Sequence, residues 1–309
     1  MLRAGWGLVW RRQRVLWGVY SVSLVLALFA IQPLVATLQP VLDHSLAADR
    51  LYHSFDLATF ADLLSRPEFA RGAVTRGPVL FGVIFLALML LFTGGILKVY
   101  IEDRSLATGE FLGAGGEYFW RFFRLLMFLL IALAPVRLIH LGFRAWSDGL
   151  ANRWAQPASS VSVRVGGTLA VLFLLMAVRL WFDMAEVLAV AEEEYAMRRS
   201  MVGGLRLTWN NFGALFRIYL LPSLLVWIGS ALAFWAWVRL VPHQAVAASL
   251  VLSQGVIFLW ILTRLWQRSS EVVWYQQRAP ETLLQPSPLP ETPIEAFLRP
   301  EVPPAEVSL

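Results

Sequence analysis

Cysteine is absent from the 309 residues, which removes disulfides, haem thioethers and thiolate metal sites together. Charge is scarce: 15% of the chain is charged and 58% is hydrophobic, far from the balance of a soluble domain. Lysine is confined to Lys98, so the formal charge of +5 is arginine's. No soluble basic segment is present to hold nucleic acid, and arginine in so apolar a chain speaks of topology and anionic lipid head groups. Catalytic signatures are missing too. The glycines from Gly113 to Gly116 lack the Gly-Lys-Ser/Thr of a phosphate loop. No apolar run carries an Asp pair, a His-rich metal motif or a Gly-x-Ser nucleophile. The four histidines, His44, His53, His140 and His243, fall in outer segments or near the outer membrane edge. These absences argue against an enzyme and imply no cofactor and no metal.

What is present is apolar length. Six runs are long enough to cross a bilayer, at about 15–38, 79–101, 119–143, 164–191, 212–238 and 245–262. The expected fold is all-α: a polytopic bundle of six transmembrane helices joined by amphipathic interfacial connectors. The basic, tryptophan-rich residues 1–14 precede the first run and place that end in the cytoplasm. A cleaved signal peptide is the rival reading, but the apolar region is too long and reaches Gln32-Pro33 without a small-x-small site. An even number of spans returns the C-terminus to the same side. Lys and Arg are more numerous in the proposed inner segments, in keeping with a bacterial inner-membrane protein with both termini inside.

Residues 39–78 are mixed and charged, with apolar residues at helical spacing in SFDLATFADLLSRP, and read as an outer loop of short amphipathic helices. Asp43, His44, Asp49, His53 and Asp56 are ligand types for a metal, but no pair has a metal-motif spacing, so they read as a solvated loop face. Residues 144–163 read as a short polar outer loop. The last stretch, 279–309, is proline-rich and acidic and reads as a disordered tail.

An offset of 90 residues aligns the second span, its connector and the third span with the fourth span, its connector and the fifth. Phe92 then meets Phe182, Glu102 meets Glu192, Gly113 meets Gly203 and Phe122 meets Phe212. Two-span units repeated in one orientation place any binding site where they meet. The copies differ in charge. Arg179, Asp183 and Glu186 in the fourth span stand where the second has Met89, Thr93 and Ile96.

Ionisable groups inside a membrane cost several kcal/mol unless they pair or meet water. On one reading, Arg179 and Asp183 neutralise each other at i and i+4, while Glu186 reaches water or an arginine such as Arg264, and together they fix the register of the bundle. On the other, they line a cavity that binds an ion, a proton or a lipid head group.

At Glu192, Ala196, Ser200, Leu205, Arg206 and Phe212 the chain resembles a loosely related group of bacterial membrane proteins. That group includes the membrane domain fused to some glycerophosphodiester phosphodiesterases. The resemblance extends over about 79–262 and implies a six-helix bundle with interfacial connectors. This chain has no phosphodiesterase domain, so that activity is not implied. The expected role is a non-enzymatic membrane subunit or scaffold that contacts lipids, with a membrane-protein partner or a second copy of itself. The alternative is a small transporter or channel for a solute, an ion or a lipid.

Overall fold

In the computed structural model, residues 1–43, 76–154, 157–242 and 245–283 are described. They form eight helices: α1 Leu2–Arg11, α2 Gln13–Asp43, α3 Arg76–Glu102, α4 Thr108–Trp154, α5 Pro157–Ala191, α6 Met197–Asn210, α7 Phe212–Leu240 and α8 Val246–Leu283. Six of them, α2, α3, α4, α5, α7 and α8, are long and apolar enough to span a bilayer. The fold is an all-helical polytopic bundle. Helix is the expected solution, because a chain in hydrocarbon must satisfy its own backbone polar groups. Pro33, Pro135 and Pro222 lie inside α2, α4 and α7 without ending them.

The helices outrun the expected limits. Residues 144–163 are not an open loop: α4 continues to Trp154 and α5 begins at Pro157. The Ser147 hydroxyl donates to the Ser160 carbonyl at 3.0 Å, and Gly167 seats the Phe143 ring. Polar residues there extend a helical hairpin, since nothing in their sequence breaks a helix before Pro157. The Gly113–Gly116 segment is likewise part of α4. Helix α2 runs to Asp43 and α8 to Leu283, into stretches read as loop and tail. The remainder of both stretches, with His44, Asp49, His53 and Asp56, lies outside the described residues.

Packing is concentrated at the end of the bundle that holds α1. Leu97, Tyr100, Tyr118, Phe122, Leu180, Met184, Leu215 and Trp274 are buried there in one cluster with Leu8 and Val9 of α1. Within residues 1–14, expected only as a basic terminus, Leu2–Arg11 thus form a helix laid on α8. The Trp266 indole donates to the Leu2 carbonyl at 2.8 Å, and the Ser269 hydroxyl to the Gly5 carbonyl at 2.9 Å. Away from this end the helices present Leu138, Leu169, Leu232 and Val251, each more than 60% exposed. Such a surface suits lipid as its solvent.

The repeat is visible in backbone geometry. Asp103 and Glu193, 90 positions apart, are the two non-glycine residues with positive φ among those described, at 44° and 49°. Each ends a span and reverses the chain. In both copies the returning helix crosses the span on small residues. Gly94 lies against the Ala114 carbonyl and Gly115, and Gly204 lies against the Ala185 backbone. Ala114 and Gly204 are equivalent positions at the same offset. The copies diverge afterwards. Helix α4 runs unbroken through Arg121, whereas its equivalent is interrupted at Asn211, dividing α6 from α7.

The Gly115 crossing has no room for a methyl group, since an added Cβ would lie 2.3 Å from the Leu91 carbonyl oxygen. Gly116 next to it faces open space. Gly115→Ala is expected to cost about 1–3 kcal/mol and Gly116→Ala to be neutral or stabilising by up to about 1 kcal/mol. Thermal unfolding of the two variants in one detergent checks this.

Candidate intramembrane charge network

Helical spacing sets out two short rows of ionisable groups. On α5, Asp183 and Glu186 are three residues apart and share a face. On α8, Arg264, Gln267, Arg268 and Glu271 recur at i, i+3, i+4 and i+7, one stripe of a helix that continues past its apolar run. The two stripes meet. Arg264 grips Asp183 with both terminal nitrogens, at 2.8 Å to Oδ2 and 3.0 Å to Oδ1. Arg268 adds an ion pair to Asp183 Oδ1 at 3.2 Å and another to Glu186. It also lies 3.9 Å from Glu271, which accepts a 3.2 Å hydrogen bond from the Gln267 amide.

Burial decides how much this matters. Asp183 is 3% exposed, Arg268 7% and Glu271 not at all. At such sites removing one partner strands a charge, so the pairs are strongly interdependent. The fork of Arg264 on Asp183 also fixes the relative rotation of α5 and α8, because two parallel hydrogen bonds allow one orientation.

The pairing differs from the expectation in two respects. Arg179 and Asp183 do not form an ion pair, since the carboxylate turns across to α8 and both its oxygens are taken by arginines there. Glu186 pairs with Arg268 rather than Arg264. Arg268 and Glu271 follow the apolar run at 245–262, where charge is ordinarily solvated, yet they are among the most buried charged residues described. The available signal was the i, i+4, i+7 alignment of Arg264, Arg268 and Glu271 beside Ser269 and Ser270, small residues that admit α1.

Arg179 stands apart from this network. It is exposed and lines a cleft of about 110 Å³ between α5, α7 and α8. Tyr219 of α7 and Arg264 of α8 also line it, with Trp227 and Trp260 at its rim. Beside the cleft, α5 touches α7 through Phe173, whose ring packs on Phe212 and Phe216.

Connector contacts brace the site. The Trp181 indole donates to the Met201 carbonyl of α6 at 2.8 Å, and the Tyr275 hydroxyl donates to Glu192 at 2.9 Å. Arg121 of α4 stacks on Tyr195, 3.8 Å from the ring centroid. Among the described residues, no group of three His, Cys, Asp or Glu is placed to hold a metal ion.

Family models, curated proteins and solved structures contain no match to this chain.

Asp183→Asn leaves two arginines facing a neutral side chain and is expected to cost about 3–5 kcal/mol. Arg179→Gln removes no ion pair and is expected to change stability by less than about 0.5 kcal/mol. Chemical or thermal unfolding in detergent separates the two.

Proposed function

We propose that the protein is a non-enzymatic membrane subunit or scaffold that contacts lipids, set in a bacterial inner membrane with both termini cytoplasmic. The observation that carries the lipid contact is the outer face of α6. Its inner face, Met197, Ser200, Gly204 and Thr208, is buried against the bundle. Its outer face presents Val202 at 68% exposure and Trp209 at 79%, with Leu205 between them. Arg198, Arg199 and Arg206 flank that stripe. An apolar stripe edged by arginines is the pattern of a helix lying in the head-group region of an anionic leaflet.

The scaffold reading is supported by the charge network. Its acids and arginines are buried against one another, whereas a transport site needs groups that can exchange their partner for solute or water. The membrane-domain resemblance agrees with such a role, as it brings a bundle and no chemistry. A protein partner or a second copy would cover part of the wide apolar surface of α7, where Phe234 and Trp235 stand exposed.

One observation favours the second reading, a small transporter: the cleft beside Arg179 is polar on one side and reaches the outside of the bundle.

The two readings separate in two assays. Purified in mild detergent from its native membrane, the protein is expected to bring down a stoichiometric membrane protein or to run as a homo-oligomer. In liposomes it is expected to leave proton and potassium leak at the protein-free level. A monomer without a partner that accelerates either leak would overturn the scaffold reading.

A further inference from the structure

We propose that the cleft between α5, α7 and α8 binds the phosphate of an anionic membrane lipid, held by the Arg179 guanidinium and the Tyr219 hydroxyl. The proposal rests on the lipid-contacting reading and names the site and chemistry of one contact.

The first ground is an uncompensated charge. Arg179 has Val178, Leu180, Trp181 and Phe182 as chain neighbours and follows an uncharged run from Val165. No carboxylate of the described residues lies within ion-pair distance of it. Asp183, one turn further along α5, has both oxygens occupied by Arg264 and Arg268. A guanidinium in such a place needs an anion from outside the chain or a path to the head groups.

The second ground is a hydroxyl without a partner. Tyr219 is 8% exposed, lines the same cleft and makes no side-chain hydrogen bond to the described residues. Other polar groups in the cleft are engaged. Ser223 donates to the Tyr219 carbonyl, Thr263 to the Leu259 carbonyl, and the Trp260 indole to Ser230. The donors left over are therefore Arg179, Tyr219 and, at the rim, the Trp227 indole. A cation and a phenol lining one small space suit a phosphate oxygen.

The third ground favours a lipid over a soluble anion. Trp227 and Trp260, at the rim, are 68% and 51% exposed, so the cleft opens sideways from two spans. All three walls carry an arginine beside it: Arg217 precedes Tyr219 on α7, Arg264 closes the apolar run on α8, and Arg179 interrupts the run on α5. A phosphate there can keep its acyl chains against the exposed faces of α5 and α7. Tryptophan at the mouth is the residue type that favours this boundary.

The experiment is native mass spectrometry and thermal unfolding of the full chain in detergent. The additions are phosphatidylglycerol, phosphatidylcholine or inorganic phosphate at equal concentration. Phosphatidylglycerol is expected to remain bound and to raise the unfolding temperature, with phosphatidylcholine and inorganic phosphate doing neither. Arg179→Gln should weaken phosphatidylglycerol binding roughly tenfold while leaving the lipid-free unfolding temperature unchanged, and Tyr219→Phe should weaken it by a smaller factor. Equal stabilisation by inorganic phosphate would make this a free-anion site and overturn the lipid assignment. Wild-type binding that both variants retain in full, or no preference for phosphatidylglycerol, would overturn the site. If Arg179→Gln fails to fold, Tyr219→Phe with the three-way lipid comparison decides the matter. Neither the partner assay nor the leak assay above depends on this result, so the two readings fail separately.

Discussion

The fork of Arg264 on Asp183, with Arg268 bound to the same carboxylate, is the interaction on which the rest of the structure depends. Apolar helices in lipid have little to choose between neighbouring rotations, because a leucine is equally content against another leucine or an acyl chain. A buried carboxylate between two guanidiniums is not indifferent. It permits one rotation of α5 against α8 and strongly disfavours any other. Small residues then exploit that register. Gly204 brings α6 onto Ala185 of α5, and Gly5 brings α1 onto Ser270 of α8, so that each of the two helices of the network is backed by a further helix.

The internal repeat explains where this network could arise. Both copies reverse the chain at a residue of positive φ and cross on glycine or alanine, so the first is a working packing unit without charges. The second has the same frame with Asp183 and Glu186 in place of Thr93 and Ile96. Its return helix is cut at Asn211, which frees α7 to pair along α8. The charges and the break therefore belong together: one attaches α8 to α5, and the other lets α7 follow α8. Arg179 is the member of the charged row that this attachment does not use, and it lines the cleft left beside it.

Much of the architecture was legible because hydropathy reports span number directly. Six apolar runs became six spanning helices, and Arg179, Asp183, Glu186 and Arg264 were singled out because charge in such runs is costly. Partner choice was not legible. The i, i+4 spacing of Arg179 and Asp183 allows an intrahelical pair, but only the packing of α5 on α8 reveals that two arginines on another helix reach the same carboxylate. Arg268 and Glu271 follow the apolar run of α8, and nothing in that position announces that they are buried. Their stripe is turned toward Asp183 and Glu186 of α5, while α1, whose ten residues read on their own as a basic anchor, covers the other side of α8 through Trp6 on Trp266. The helix ends at 144–163 are hidden for a related reason: polarity there reads as loop, while the residues favour a continued helix.

The central claim is that Asp183 and Arg268 act as one buried structural unit, and a double-mutant cycle tests it most directly. Asp183→Asn, Arg268→Gln and the double variant are compared by unfolding in a single detergent. The account predicts a coupling energy of about 2 kcal/mol or more, with the double variant more stable than the sum of the single losses implies. Coupling indistinguishable from zero, with each single substitution tolerated, would contradict it.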